Sequence, residues 1–336
     1  MANILVAGGA GYIGAHTCLD LFSKGFTPIV YDNLSNGHAE FVKWGPLEVG
    51  DIRDRNKLEE VLRKYKPQAI IHFAAAIEVG ESVCDPSGFY ENNVAGTISL
   101  LRAAQATGID KIVFSSTCAT YGIPSSVPIN EAHVQSPINP YGRSKLIIEQ
   151  ILDDLDRYQG FRSSVLRYFN AAGADPEGRI GEWHTPETHA IPIAIEAALG
   201  HRSHFRVLGT DYDTRDGSCV RDFVHVLDLA DAHTRAIEHL LNNGTSHALN
   251  LGTGHGTSVK ELLEAVRRTV GKSFDVKYGP RREGDSPALV ADNALAGRII
   301  GWSPRHDLRS IIETAYNWHS NHLPALLARR SKTLVL

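Results

Sequence analysis

Cysteine and methionine are scarce in this 336-residue sequence, with four of the first and one of the second. Cys18, Cys84, Cys118 and Cys219 show neither CxxC nor zinc-site spacing. They read as small buried hydrophobes rather than as a disulfide framework. No apolar run approaches the ~20 residues of a membrane-spanning helix, so no membrane partner is expected. Charge of either sign is not in excess: 34 Lys and Arg against 38 Asp and Glu give a net −4. Without a basic stripe, nucleic acid is not expected as a partner. Glycine (30) and proline (15) are too sparse for a collagen-like or low-complexity chain. The start lacks the basic and apolar regions of a secretory signal, so the first residues belong to the fold and a cytoplasmic location is expected. Sixteen histidines include no H-E-x-x-H pair. His184 and His189 are separated by a segment containing Thr185-Pro186, which breaks a clean helix, so no metal is expected.

What remains is an alternation. Short Ile- and Val-rich runs at Asn3–Ala7, Thr27–Tyr31, Ala69–Phe73, Lys111–Ser115 and Ser163–Tyr168 read as strands. Helix-period segments lie between and after them, at Tyr12–Lys24, Arg55–Lys64, Tyr90–Ala106 and Tyr141–Gln159. Gly25, Gly108 and Gly160 stand where left-handed C-caps are needed. This rhythm predicts an α/β chain with a doubly wound parallel sheet. After residue 170 it loosens. Residues 171–187 read as loop, followed by helices at Thr188–Leu199, Leu227–Leu241, Ser258–Val270 and Leu308–His319, and a strand at Ala248–Leu251. The expected division is a first domain over 1–170, with returns to it around 220–252. An interleaved smaller C-terminal α/β substrate domain covers 171–322, and a tail covers 323–336.

Gly8, Gly11 and Gly14 follow the first strand and open the first helix. Such a loop lets the backbone approach a pyrophosphate, and the helix N-terminus offers free N–H groups to it. The second strand leads to Asp32, 18 residues after Gly14. A carboxylate there accepts from an adenosine ribose and repels a 2′-phosphate, which favours NAD over NADP. Tyr141 and Lys145 are one helical turn apart, on one face. A phenol titrates near ~10. A neighbouring ammonium and a nicotinamide cation are both expected to lower that value and suit the phenol to general-base work. Ser115-Ser116-Thr117 ends the strand before them, where doubly wound sheets bind ligands.

The glycine loop, the hydroxyl strand and the Tyr-x-x-x-Lys pair, in this order, resemble the extended short-chain dehydrogenase/reductase superfamily. Val220-Arg221-Asp222 and Arg281-Arg282-Glu283-Gly284-Asp285 resemble its UDP-sugar 4-epimerase branch. The resemblance runs from Gly8 to about His319. It implies a Rossmann-type fold and tightly bound NAD held by Gly8, Gly11, Tyr12, Ile13, Gly14, Asp32, Asn33, Asp51, Ile52, Phe73, Ala74, Asn92, Ser115, Tyr141, Lys145 and Tyr168. It implies catalysis by Tyr141, Lys145 and Thr117 through a 4-keto sugar, interconverting UDP-glucose and UDP-galactose. The UDP-sugar would be held by Thr117, Asn170, His189, Leu208, Arg221, Arg282, Asp285 and Leu289. It further implies a homodimer through a four-helix bundle, from helices near 90–106 and 142–158.

The sequence departs from the branch pattern at four places. Ile77 replaces a cofactor-contacting lysine, Leu208 an aromatic cover for uracil, and His189 an asparagine. Leu289 is intermediate between the tyrosine that closes the sugar pocket to N-acetyl groups and the small residue that opens it. UDP-pentose and UDP-N-acetylhexosamine epimerases stay open as alternatives. A 4,6-dehydratase is disfavoured because Thr117 is followed by Cys118-Ala119, not by an acid pair. The intact Tyr141–Lys145 pair disfavours a non-catalytic NAD-binding protein.

Overall fold

The computed structural model describes residues 2–282 and 285–333. Glu283 and Gly284 of the arginine-rich stretch, and residues 334–336 of the expected tail, lie outside the described residues. Among the described residues thirteen strands run in chain order: β1 Asn3–Ala7, β2 Thr27–Asp32, β3 Leu47–Val49, β4 Ala69–His72, β5 Lys111–Thr117, β6 Arg162–Tyr168, β7 Asn170–Ala172, β8 Phe205–Leu208, β9 Val220–His225, β10 His247–Leu251, β11 Gly256–Ser258, β12 Val276–Gly279 and β13 Ala288–Leu289.

Seven of these form one parallel sheet in the order β10-β6-β5-β4-β1-β2-β3. The order reverses between β1 and β4, which opens the crevice where doubly wound sheets take their ligands. Both faces are covered, so β1 is apolar on both sides. Ile4 and Val6 pack with the helix Val226–Leu241, while Leu5 and Ala7 pack with Arg55–Tyr65 and Gly96–Ala106. The sheet is the Rossmann-type scaffold expected from the alternation.

The helix Pro140–Gln159 starts where Asn139 accepts from the Gly142 N–H at 2.8 Å and Pro140 occupies the first turn. It stops at Gly160, whose φ of +69° closes the end in a left-handed cap. The helix expected over Tyr90–Ala106 instead begins at Pro86, capped by Asp85, and passes through a wide π-type turn at Tyr90–Ala95. Such turns displace side chains from the regular helical face. Asn92 reaches the crevice from this one, while Asn93 is tied to the Ala76 backbone and to Ser144.

Three expectations are corrected. Residues 220–225 do not return to the main sheet. β9 pairs with β7, β11 and β13 in a separate small sheet, and the return is made by Val226–Leu241 and β10. The helix expected from Thr188 begins at Ala190, because Thr188 and His189 give their N–H groups to the Glu187 carboxylate. The expected tail is helical over Leu323–Thr333, because Leu323 and Leu326 find apolar partners on the cluster around Trp318, Ile180 and Phe41. Strands β3, β7, β8, β9 and β11 to β13 were not expected. Most are edge pieces of four residues or fewer, too short to show a period.

Candidate active site

The glycine loop follows β1 with Gly8 at φ +81°. A Cβ on Gly8 would sit 2.5 Å from the Ala74 nitrogen, and one on Gly14 would sit 2.2 Å from the Gly8 carbonyl oxygen. Gly8 therefore lets the loop touch the β4 crossover, and Gly14 lets the helix Tyr12–Ser23 press against the loop. Gly11 differs: its Cβ would meet only the Gly8 oxygen, at 3.4 Å. It caps the helix without a side chain and faces open space along the cleft, leaving the first N–H groups for an anion.

Asp32 lies at the end of β2. One carboxylate oxygen accepts from the Ala10 N–H (3.0 Å) and the other from the Leu34 N–H (2.8 Å). It braces the glycine loop and keeps lone pairs toward the cleft. Burial raises its pKa, and the two backbone N–H groups oppose that.

The reacting groups gather at the C-terminal edge of β5. Lys145 is buried and donates from Nζ to the Ser115 carbonyl at 2.9 Å. Its ammonium lies 4.9 Å from the Phe114 ring centre and 6.0 Å from that of Tyr141. Burial pulls its pKa down to about 7, against the opposing charge of Glu149. For Tyr141 the expected lowering is not produced by the protein's own groups. Burial pushes the phenol above its ordinary range, and the hydrogen bond with Thr117 only partly offsets this. Lys145 is turned to the Ser115 carbonyl, so the ammonium alone does not produce phenolate. Ser115 and Tyr168 share a hydroxyl–hydroxyl bond below the same wall.

The opposite wall comes from the small sheet. Register places Leu289 beside Arg221, and Arg221 is anchored to the carbonyls of Val220 (2.9 Å) and Ser286 (2.8 Å). Asp285 receives Arg282 at 2.8 Å and Arg221 at 3.4 Å. Leu289 packs with Cys118 and Phe169 where this wall meets β5.

The walls enclose a cavity of about 510 Å³. All but two of the expected site residues line it. Asp51 does not, because Arg53 holds its carboxylate through two bonds (2.9 and 2.8 Å) and Asn33 adds a third, which keeps it well below the usual carboxylate range. Leu208 does not, because it belongs to the separate β8–β12 ladder, beside Gly279. Ile77 does line the cavity, where the branch pattern has lysine.

The residues that sequence reasoning missed lie mainly in one loop. Glu182 and His184 line the cavity beside His189, and Glu187 backs them. Burial works against protonating the two rings, but the carboxylates outweigh it and raise His184 to about 9 and His189 to about 11. Donors at 182, 184, 187 and 189 were a legible signal, but testing only a helical template hid it.

The cradle fits a dinucleotide. The open face of Gly11 and the uncapped helix start suit a pyrophosphate, and Asp32 suits an unphosphorylated ribose. Comparison with known proteins agrees. The pattern of the NAD dependent epimerase/dehydratase family matches residues 4–252. The chain is 67% identical over 318 residues to a UDP-glucose 4-epimerase of Rhizobium meliloti (strain 1021), covering 95% of this chain and 97% of that one. The crystal structure of the UDP-glucose 4-epimerase from Brucella ovis in complex with NAD superimposes with a TM-score of 0.92 at 52% identity, covering 94% and 98%. The UDP-Glc/GlcNAc 4-epimerase of Campylobacter jejuni superimposes with a TM-score of 0.83 at 39% identity, covering 95% and 99%. With the glycine cradle, Asp32 and the Tyr141–Lys145 pair in one cleft, this chain belongs to the NAD dependent epimerase/dehydratase family.

Proposed function

We propose that the protein interconverts UDP-glucose and UDP-galactose by inverting C4 of the sugar, with NAD as a retained cofactor. The observation that carries this is the convergence of Tyr141, Lys145 and Thr117 on the cleft wall facing Arg221 and Asp285. NAD, held by the Gly8–Gly14 loop and Asp32, would supply the hydride acceptor and donor for inversion at C4. Tyr141, as the phenolate that the positive charge of the oxidised nicotinamide would favour, takes the proton of the 4-hydroxyl and gives it back to the C4 oxygen when hydride returns. Thr117 hydrogen-bonds the same oxygen. Lys145, fixed on the Ser115 carbonyl, would meet the cofactor ribose and, in its protonated form, places positive charge near the phenol. Arg221, Arg282, Asp285, Asn170 and His189 hold the UDP. Affinity placed in the nucleotide leaves the 4-keto sugar free to turn over between hydride transfers.

A second reading, acceptance of UDP-N-acetylhexosamines, is favoured by Leu289, which leaves more room beside Cys118 than a tyrosine would. We also place the enzyme in the cytoplasm as a homodimer. Half-buried Leu146 and Ile147 on the Pro140–Gln159 helix and exposed Ile98 on Gly96–Ala106 support a helical interface. Among the described residues no helix is long and apolar enough to cross a membrane.

The experiment is incubation of the purified protein with UDP-glucose, UDP-N-acetylglucosamine and UDP-xylose, without added NAD, with products read by NMR. UDP-galactose as the main product supports the reading. Inversion of UDP-xylose alone replaces it, and no inversion of any of the three sinks it. Light scattering that returns a monomer mass at micromolar concentration removes the dimer.

A further inference from the structure

Between β7 and the helix Ala190–Leu199 the chain reads Glu182-Trp183-His184-Thr185-Pro186-Glu187-Thr188-His189. A bend at 185–186 folds this loop on itself and brings the two imidazole rings to a centroid separation of 4.9 Å. Their Nδ1 atoms then face the same point as two carboxylates. His189 Nδ1 lies 2.9 Å from a Glu182 oxygen and 3.0 Å from a Glu187 oxygen. His184 Nδ1 lies 3.4 Å from Glu182 and 3.7 Å from Glu187. The four donor atoms all lie within 4.8 Å of one another.

Hydrogen bonding accounts for only part of this convergence. A single proton on His189 Nδ1 would face two carboxylate oxygens at once. His184 Nδ1 is sealed from solvent and has no hydrogen-bond partner, although it points into the cluster. Both carboxylates are buried and need accompanying positive charge, which protonated imidazoles, or a dication in place of those protons, would supply. Glu187 is already oriented by the backbone N–H groups of Thr188 and His189, each at 2.8 Å, as a fixed ligand would be.

We propose that Glu182, His184, Glu187 and His189 form a four-coordinate site for a divalent cation of the zinc type. Donors ~2.0–2.2 Å from a tetrahedral centre lie roughly 3.3–3.6 Å from each other. The four nitrogen–oxygen separations here, 2.9, 3.0, 3.4 and 3.7 Å, bracket that range, so small side-chain shifts would seat the ion. Two imidazoles exclude calcium and magnesium, which take oxygen ligands. Two carboxylates neutralise the dication, and four protein donors make the site a closed, structural one. Its consequence is local. Glu182, His184 and His189 all line the cleft, and the Tyr12 ring of the glycine-loop helix stands edge-on 6.3 Å from His184. A cation there pins the wall between the cofactor and the nucleotide. The site goes beyond the epimerase reading: it shares His189 with the nucleotide contacts proposed above, taking its Nδ1, but does not rest on them.

The test uses the full-length protein, stripped with EDTA, dialysed and titrated with zinc chloride by calorimetry, with metal counted by mass spectrometry. One zinc per chain is expected, and cobalt(II) in its place should give the intense visible band of four-coordinate cobalt. His184→Gln and Glu182→Gln should each weaken uptake by more than the roughly hundredfold that loss of an outer-shell partner can cost. His255→Gln, at an exposed surface histidine, should not. Wild-type protein that stays metal-free at equimolar zinc overturns the proposal, as does undiminished uptake by both ligand variants. Should the variants misfold, X-ray absorption of the zinc-loaded wild type decides. Four nitrogen and oxygen neighbours including two imidazoles support the site, while sulfur scattering or a six-coordinate shell overturns it. No sugar nucleotide enters the experiment, so its failure leaves the epimerase reading standing.

Discussion

Glu149 sits one helical turn beyond Lys145 and grips the Arg167 guanidinium of β6 through three contacts of 2.6 to 3.1 Å. Both partners are buried, and Arg167 reaches on to the Tyr121 hydroxyl at 2.9 Å. This pair fixes the helix that carries Tyr141 and Lys145 against the strand beside β5. Glu149→Leu leaves a buried guanidinium without its counter-charge, which costs about 3–5 kcal/mol. Chemical denaturation of wild type and variant measures it, and a loss below ~1 kcal/mol would show that the pair is not structural.

Tyr141→Phe should keep the fold and the bound NAD while lowering turnover by roughly 10²–10⁴, the usual worth of a positioned proton acceptor. The absorbance of released cofactor gives occupancy, and a coupled assay gives rate. Near wild-type turnover would remove Tyr141 from the mechanism.

The glycine loop predicts a split between two alanine variants. Gly14→Ala drives a Cβ into the Gly8 carbonyl at 2.2 Å and should destabilise the protein outright. Gly11→Ala meets nothing nearer than 3.4 Å, so its melting temperature without cofactor should stay close to wild type while NAD affinity falls. Equal melting losses in both would contradict the assignment of Gly11 to the pyrophosphate face.

Leu289→Tyr should leave UDP-glucose turnover within a few-fold and cut kcat/KM for UDP-N-acetylglucosamine by about tenfold or more, since the added ring occupies the space beside Cys118. Leu289→Ala should shift the ratio the other way. An unchanged ratio in both variants separates this residue from sugar selection.

Four buried histidines and the half-buried His247 set a pH dependence. Burial lowers His16, His233 and His247 to about 4, and His72 and His225 to about 3, from an unfolded value of 6.5. All are neutral in both states above that value and contribute nothing there. Below it the unfolded chain binds protons that the folded chain refuses, so stability declines as pH falls from 6.5. Denaturation midpoints between pH 6.5 and 5, above most carboxylate titrations, should drop steadily. A flat profile in that window would falsify the burial argument.

The sequence revealed the main sheet more fully than the small one, for a physical reason. Strands such as β1 and β4, apolar on both faces and flanked by helices, announce themselves by composition. β13 has two residues, and its meaning lies in the partner, since it brings Leu289 beside Arg221. Asp51 and Leu208 show the same limit within the site. Each matches a motif by position, yet Arg53 captures one side chain and the β8–β12 ladder removes the other from the cleft. The 182–189 cluster depends on how a loop bends, which no periodic template detects.

The helix Leu323–Thr333 lays Leu323 and Leu326 on the cluster that contains Trp183, and Arg330 places its guanidinium 5.4 Å from that indole. Trp183 lies between Glu182 and His184 on the cleft wall. During synthesis, at ~5–20 residues per second, this prop emerges long after the wall it supports. The glycine loop closes against the β4 crossover without this helix, whereas the substrate wall gains part of its backing once Leu323–Thr333 is made.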